Sequence, residues 1–526
     1  MARVVVVGAG VGGLATAARL AAAGHRVTIC ERASDVGGKL GRFSQDGFTF
    51  DTGPSLLTMP EVFADLFAAT GAPLSDLLEL RRLDPIARYR FADGTLLDAH
   101  ADDDAFTAEL DTVLPPGSGQ QWRRLAAHAE RLWEATREPF LSAPTAGVRS
   151  LASLALRRPG DISTIAPGLT LRGLGQRHLA DHRLRMFLDR YATYTGSDPR
   201  RAPAALAVIA HVERCYGGWY LPGGLHQLGQ AVAERAVRLG ARLLLGQAVI
   251  AITRGAGGRA AGVQLADGGR IDADLVVSGV DAQTVYGMLA PHRRAERRLR
   301  RARASLAGFV LLLALRGRTP DLAHHTVLFP TDNDDEFDAV FGGRLAVDPT
   351  IYISAPDDPA LAPPGCEAWF VLVNAAPHAT RLPPGSATGR ASPGGTTSGS
   401  GDIDGGSVNR PVNRSVGHGL DWDRPGLADA YAARILNLMA ERGLDVRERL
   451  RWQHVITPAD LEQRTGAVGG AIYGTSSNGL RAAFLRPGNR SPIPGLFLVG
   501  GSSHPGGGLP LVAMSAKIVA DMIGPA

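Results

Sequence analysis

Lysine is nearly missing from this chain: only Lys39 and Lys517 accompany arginine among its 56 Lys and Arg residues. A GC-rich coding bias produces that pattern. It leaves open whether the two survivors hold places where a compact ammonium differs from a planar guanidinium. Cysteine is scarce as well. Cys30, Cys215 and Cys366 lie far apart, and Cys30 falls in an apolar run, so neither a disulfide framework nor a zinc site is indicated and a reduced, cytoplasmic setting is expected. No stretch reaches the roughly 18 consecutive apolar residues that a membrane-spanning helix needs, and the longest candidate, 306–315, reads as a buried strand. The first residues lack the charged and apolar regions of a secretory leader, so none is expected. The net charge of +5 is small for 526 residues. No polybasic run dense enough for a nucleic-acid partner is read, and none is expected.

The length suits two or three interleaved domains at about 100–200 residues each. Residues 4–7 are a β-branched run, 8–13 are glycine-rich, 14–23 are helix formers, and 26–31 are strand-like again: strand, turn, helix, strand within some thirty residues. From 60 to 214 the periodicity reads as helical. A helix over 225–239, strands over 242–245 and 249–252, a hairpin turn at Asp267-Gly268 and a strand over 273–277 follow. Residues 308–375 read as longer β segments. Residues 383–419 are Gly, Ser, Thr, Pro and Asn with few apolar residues, a flexible surface insertion. A helix over 427–442, a strand over 496–499 and a helix over 511–522 complete the reading. The cofactor-binding domain is accordingly expected at 1–60, 215–305 and 455–526, and a substrate lobe at 61–214 and 306–454.

Gly8, Gly10 and Gly13 stand where a dinucleotide fingerprint needs glycine: for the tight turn, for close approach of a pyrophosphate, and for helix–sheet packing. The helix start then offers free N–H groups and the positive end of its dipole. Such glycines alone also fit a structural turn. Glu31, however, closes the second strand eighteen residues after Gly13, where a carboxylate can accept from ribose hydroxyls. Glu31-Arg32 is followed by a second glycine loop with Gly38, Lys39 and Arg42, and then by Asp51-Thr52-Gly53-Pro54-Ser55. This extended arrangement points to FAD in preference to a short NAD site. At the far end, Gly500 and Gly501 terminate a strand, and Gly508, Leu509 and Pro510 open the last helix. Amides there can face the flavin or the pyrophosphate.

With these motifs, and with Tyr216-Gly217-Gly218-Trp219-Tyr220-Leu221-Pro222-Gly223-Gly224 and Ser503-His504-Pro505-Gly506, the sequence resembles the FAD-dependent phytoene desaturases and their carotenoid desaturase and isomerase relatives, over nearly its whole length. Ala471-Ile472-Tyr473-Gly474, with Arg486-Pro487 and Asn489-Arg490, is similar to the 3,4-desaturase branch that acts on hydroxylated acyclic carotenoids. The 383–419 insertion departs from the family pattern. The resemblance implies an α/β fold in which a Rossmann-like FAD domain is interleaved with an α+β substrate lobe. It also implies a backbone contact from Val249 to the adenine, and desaturation of a hydrophobic polyene.

In such a reaction the flavin takes a hydride while the protein orients the polyene and excludes water. His504 suits either a proton carrier or a hydrogen-bonded turn residue. No catalytic residue and no metal site is assigned. An insoluble substrate implies peripheral contact with a membrane surface, for which 122–187, with Trp122, Trp133, Phe140, Leu141 and 151–156 among arginines, is the candidate. A quinone or oxygen is the expected electron acceptor. The alternatives left open are a polyene isomerase, an amine or porphyrinogen oxidase, and a non-catalytic lipid carrier.

Overall fold

The computed structural model describes residues 1–138, 160, 164–379, 419–479 and 486–526. Most of the 383–419 insertion, and Phe140, Leu141 and 151–156 of the expected membrane patch, lie outside them.

The valine run forms the strand Arg3–Val7, buried at four of its five positions. It pairs in parallel with Arg26–Cys30 on one side and Leu275–Ser278 on the other. Arg242–Leu244 and Leu496–Leu498 extend the sheet outward to five parallel strands. Successive side chains of a strand point to opposite faces, so Val4 and Val6 enter one core and Val5 and Val7 another. The first core is closed by the helices Val11–Ala22, His226–Arg238 and Leu509–Ile523. The second is closed by an antiparallel sheet of Val249–Arg254, Ala260–Leu265 and Arg270–Asp272. The helix Pro60–Ala69 adds Phe63, Leu66 and Phe67 to the first core, which puts it on the cofactor side of the division expected at 60/61.

In space the strands follow the chain order 5-4-1-2-3. The order reverses between Arg3–Val7 and Leu275–Ser278, and there the loops leaving the two carboxyl ends diverge and open a crevice.

A seven-stranded sheet organises the other half around Ala307–Arg316, buried at every position but the last. Its edge differs from the expected all-helical stretch at 60–214, since Ala87–Arg90 and Leu96–Ala99 are strands of this sheet. Their alternation of buried and more exposed residues covers only four positions each, too short to stand out between helical segments. Helices including Ser118–Thr136 and His182–Thr193 pack on this edge. Trp122 and Phe187, expected at a membrane surface, are each 2% exposed, and Trp133 is buried too. An aromatic face among arginines here fills a core.

The charge reading also changes. Seven arginines fall between Arg293 and Arg303. They begin on the surface helix Arg293–Arg300, whose one buried residue is Leu299.

Candidate cofactor site

Glycines from four loops meet at the reversal point of the parallel sheet. A Cβ on Gly13 would lie 2.2 Å from the Gly8 carbonyl oxygen, so the first helix can approach the first strand only with glycine there. A Cβ on Gly12 would come 3.2 Å from the Cα of Gly500, and one on Gly38 would come 3.2 Å from the Cα of Gly10. Gly279, just past Leu275–Ser278, faces the Val7 carbonyl at 3.5 Å by the same measure. The two ends of the chain therefore touch backbone to backbone.

What these glycines leave open is as informative as what they pack against. A Cβ on Gly508 would meet nothing within 4 Å, and one on Gly10 only the Gly37 oxygen at 4.0 Å. Gly10 and Gly508 are the N-caps of Val11–Ala22 and Leu509–Ile523, and neither helix start has a side-chain cap. Both present first-turn N–H groups and a positive dipole end to the same crevice, a donor set that fits a pyrophosphate. Leu509 and Pro510 are the first two residues of the second of these helices.

Glu31 sits at the rim, accepting from Ala9 N–H at 2.7 Å and Ala33 N–H at 2.9 Å. Each carboxylate oxygen keeps a lone pair for a further donor, so a ribose fits. Val249 lies close by: the Gln247 N–H donates to the Glu31 carbonyl at 2.7 Å, and Val249 then opens the strand that pairs with Ala260–Leu265. Arg32 and Arg42 stand apart from the glycines. Arg32 is exposed and donates to the Gln463 carbonyl, and Arg42 is exposed at the start of the hairpin, opposite Asp51.

Lys39 Nζ donates to the carbonyls of Ala471 (2.8 Å) and Ile472 (2.6 Å). Burial pulls its pKa down to about 8, partly offset by the nearby Asp281. Arg486 continues the same function, donating to the carbonyls of Tyr473 (2.8 Å), Gly501 (2.8 Å) and Thr475 (2.9 Å). The two cations thus hold 471–475 and the Gly500-Gly501 turn as one wall of the crevice. Gly53 locks the second loop, since a Cβ there would lie 1.8 Å from the Lys39 carbonyl oxygen. Asp51 accepts from Leu225 N–H (2.7 Å) and His226 N–H (3.0 Å) at the start of His226–Arg238, and burial raises its carboxyl to about 6. His504 is buried; its N–H donates to Pro487, and its carbonyl accepts from Asn489 and Ser515.

Sequence reading missed Gly279, Asp281 and Arg486 as site residues. The first two had a signal, a glycine two residues before a carboxylate just after the strand expected over 273–277. Arg486 was quoted only within the family resemblance, and no spacing gave it a role, because it acts by reaching carbonyls brought in by the fold.

Among known proteins, a family described as flavin containing amine oxidoreductase matches residues 11–385. The chain is 33% identical to the 4,4'-diapolycopene oxygenase of a Methylomonas species, covering 99% of this chain and 98% of that protein. It is 34% identical to the hydroxyneurosporene desaturase of Cereibacter sphaeroides, covering 99% and 97%. An oxidoreductase from Methanosarcina mazei of known structure shares the fold, with a TM-score of 0.62 at 18% identity over 99% of this chain and 100% of that one.

Proposed function

This chain belongs to the flavin-containing amine oxidoreductases, and from that premise we propose that it is a FAD-dependent desaturase of an acyclic carotenoid. The observation that carries the reading is the convergence of two uncapped helix starts, at Gly10 and Gly508, on one glycine-lined crevice. Bound FAD supplies a two-electron acceptor for the hydride of a CH–CH bond whose second carbon gives up a proton. The chain's own part is positional. Amides of Val11–Ala22 hold the pyrophosphate and Glu31 the ribose, while Lys39 and Arg486 fix the 471–475 wall against which the polyene is aligned.

The substrate is insoluble in water, so it is drawn from a bilayer surface. Among the described residues no helix is long and apolar enough to cross a membrane. The Arg293–Arg300 helix, preceded by Met288 at 70% exposed, suits anionic headgroups.

The test is co-expression with a phytoene-producing pathway, followed by pigment analysis and a flavin spectrum of the purified protein. Added conjugation supports desaturation. Altered geometry alone would indicate an isomerase, an added oxygen atom the chemistry named for the Methylomonas relative, and a colourless protein without pigment change a carrier. Reoxidation under nitrogen with a quinone, compared with air, identifies the electron acceptor.

A further inference from the structure

Beside the crevice, the second lobe encloses charged and phenolic side chains that the reaction as described does not use. Arg190, on the helix His182–Thr193, donates from Nη1 to the hydroxyls of Tyr89 (3.2 Å) and Tyr194. Its guanidinium lies over the rings of Tyr194 at 4.9 Å, Tyr89 at 5.5 Å and Tyr352 at 5.6 Å. Glu213, 4% exposed, accepts from Tyr191 (2.7 Å) and Tyr194 (3.4 Å). The Tyr352 hydroxyl is hydrogen-bonded to Ser55 at 2.7 Å.

Protein surrounds Arg190 on all sides, yet the side chain is not sealed. Its Nε and Nη2 have no acceptor among the described residues, and neither is closed off from a water-sized probe. Tyr194 and Tyr352 are likewise enclosed yet only half-buried, as is Ser55, so the group borders a void inside the fold that a water-sized probe can reach.

That void adjoins the cofactor crevice on two sides. Tyr473 is one divide: a Cβ on Gly507 would come 2.6 Å from its Cδ1, and one on Gly196, just beyond the Arg190 helix, 3.1 Å from its Cδ2. Ser55 is the other, two residues after Gly53, which packs on Lys39.

A bare hydrocarbon has nothing to offer the Nε and Nη2 hydrogens of Arg190, and displacing water from them without supplying an acceptor is costly. A carboxylate would answer them but would be repelled by Glu213. A hydroxyl fits both demands: its oxygen accepts from Arg190, and its proton goes to the Tyr194 oxygen, whose own proton is directed at Glu213. On the carotenoid reading above, we infer that Arg190 and Tyr194 form a subsite for a hydroxyl carried on the polyene within a few carbons of the bond that loses hydrogen. Glu213 is a positioning residue for Tyr194.

The test uses the flavin-loaded enzyme and two acyclic carotenes that differ only in a terminal hydroxyl, with kcat/KM and equilibrium binding measured for each. The wild type is expected to favour the hydroxylated carotene by about 100-fold or more. Arg190→Met should collapse that ratio to within about threefold, and Glu213→Gln should lower it by about tenfold. If Arg190→Met does not retain flavin, Arg190→Lys keeps the charge without the planar fork and should still cut the ratio by about tenfold. Equal use of both carotenes by the wild type, or an Arg190 variant with an unchanged ratio, overturns the subsite while leaving desaturation intact. Turnover of neither carotene, with Arg190-dependent binding of the hydroxylated one, supports the subsite and overturns desaturation. Equal binding without turnover overturns both.

Discussion

The cofactor crevice and the void around Arg190 share a wall but are built from different material. In the crevice the groups facing inward are backbone: the amides at Gly10 and Gly508, and turns so tight that a single Cβ at Gly13 or Gly53 would collide with a carbonyl. The charged side chains there, Lys39 and Arg486, spend their donors on carbonyls of the protein itself. Around Arg190 the backbone recedes, and the inward groups are a guanidinium, phenols and a carboxylate. Backbone can bind only what every such fold binds, a phosphate chain. Side chains can be exchanged without refolding the sheet, so specificity belongs in the second chamber.

The strongest way to break this contrast is to add one methyl group to the crevice. Gly13→Ala places a Cβ 2.2 Å from the Gly8 oxygen, and overpacking of that kind costs about 1–3 kcal/mol or displaces the helix start. The purified variant should be nearly free of flavin and melt several degrees lower. Gly287→Ala, where a Cβ meets nothing within 4 Å, should keep a full complement. A yellow Gly13→Ala protein would show that side chains, not backbone, carry cofactor affinity.

Next in size is Arg486→Met. It strips three carbonyls of their donor and frees the 473–475 segment from Gly501. At roughly 1–2 kcal/mol for each charge-assisted bond lost, flavin affinity should fall by about 100-fold by titration of the apoprotein, with Arg486→Lys intermediate.

The same contrast explains what could be read before the fold was known. The crevice was legible because its requirements are local: glycines at fixed offsets after a strand, Glu31 at the end of the next, Gly508 and Pro510 at a helix start. The second chamber was not, because Ser55, Tyr89, Arg190, Glu213 and Tyr352 come from five separate segments, and no spacing links them. The aromatic stretch around Trp122 and Phe187 misled for a related reason. A tryptophan among arginines has the same composition on a membrane face as on a helix whose opposite side is solvated, and only packing against Tyr89 and Phe106 decides between them. The strands Ala87–Arg90 and Leu96–Ala99 were overlooked because their partners lie more than two hundred residues away, at His325–Leu328, or across a short turn.

A smaller effect tests whether a crevice carboxylate serves the backbone alone. Asp51 has its pKa raised to about 6 by burial, against 3.8 when unfolded. Between those values the folded state holds the extra proton, so the contribution of Asp51 to stability is present at low pH and is lost as pH rises through about 6. Asp51→Asn carries no such charge at any pH. Its stability relative to wild type should therefore climb from pH 4 to pH 6 by up to about 2 kcal/mol, allowing for the partial exposure of the group, and then level off. Thermal melts of both proteins across that range measure it, and a flat difference would mean that Asp51 stays ionised in both states.

The smallest expected effect concerns charge outside both chambers. Five of the seven arginines between Arg293 and Arg303 stand on the surface helix Arg293–Arg300 next to exposed Met288, and none of their side-chain bonds among the described residues reaches the crevice or the void. If they serve only delivery, reversing two of them should alter where the enzyme works and leave its chemistry alone. Each arginine near an anionic bilayer is worth about 1 kcal/mol, so Arg297→Glu with Arg298→Glu should weaken binding to phosphatidylserine-containing vesicles by at least about tenfold, and raising the salt should weaken the wild type in the same direction. Flavin content and turnover of detergent-solubilised carotene should stay at wild-type levels. Loss of turnover in detergent would tie this surface to the interior and dissolve the separation between the part of the molecule that reaches the substrate and the parts that recognise and oxidise it.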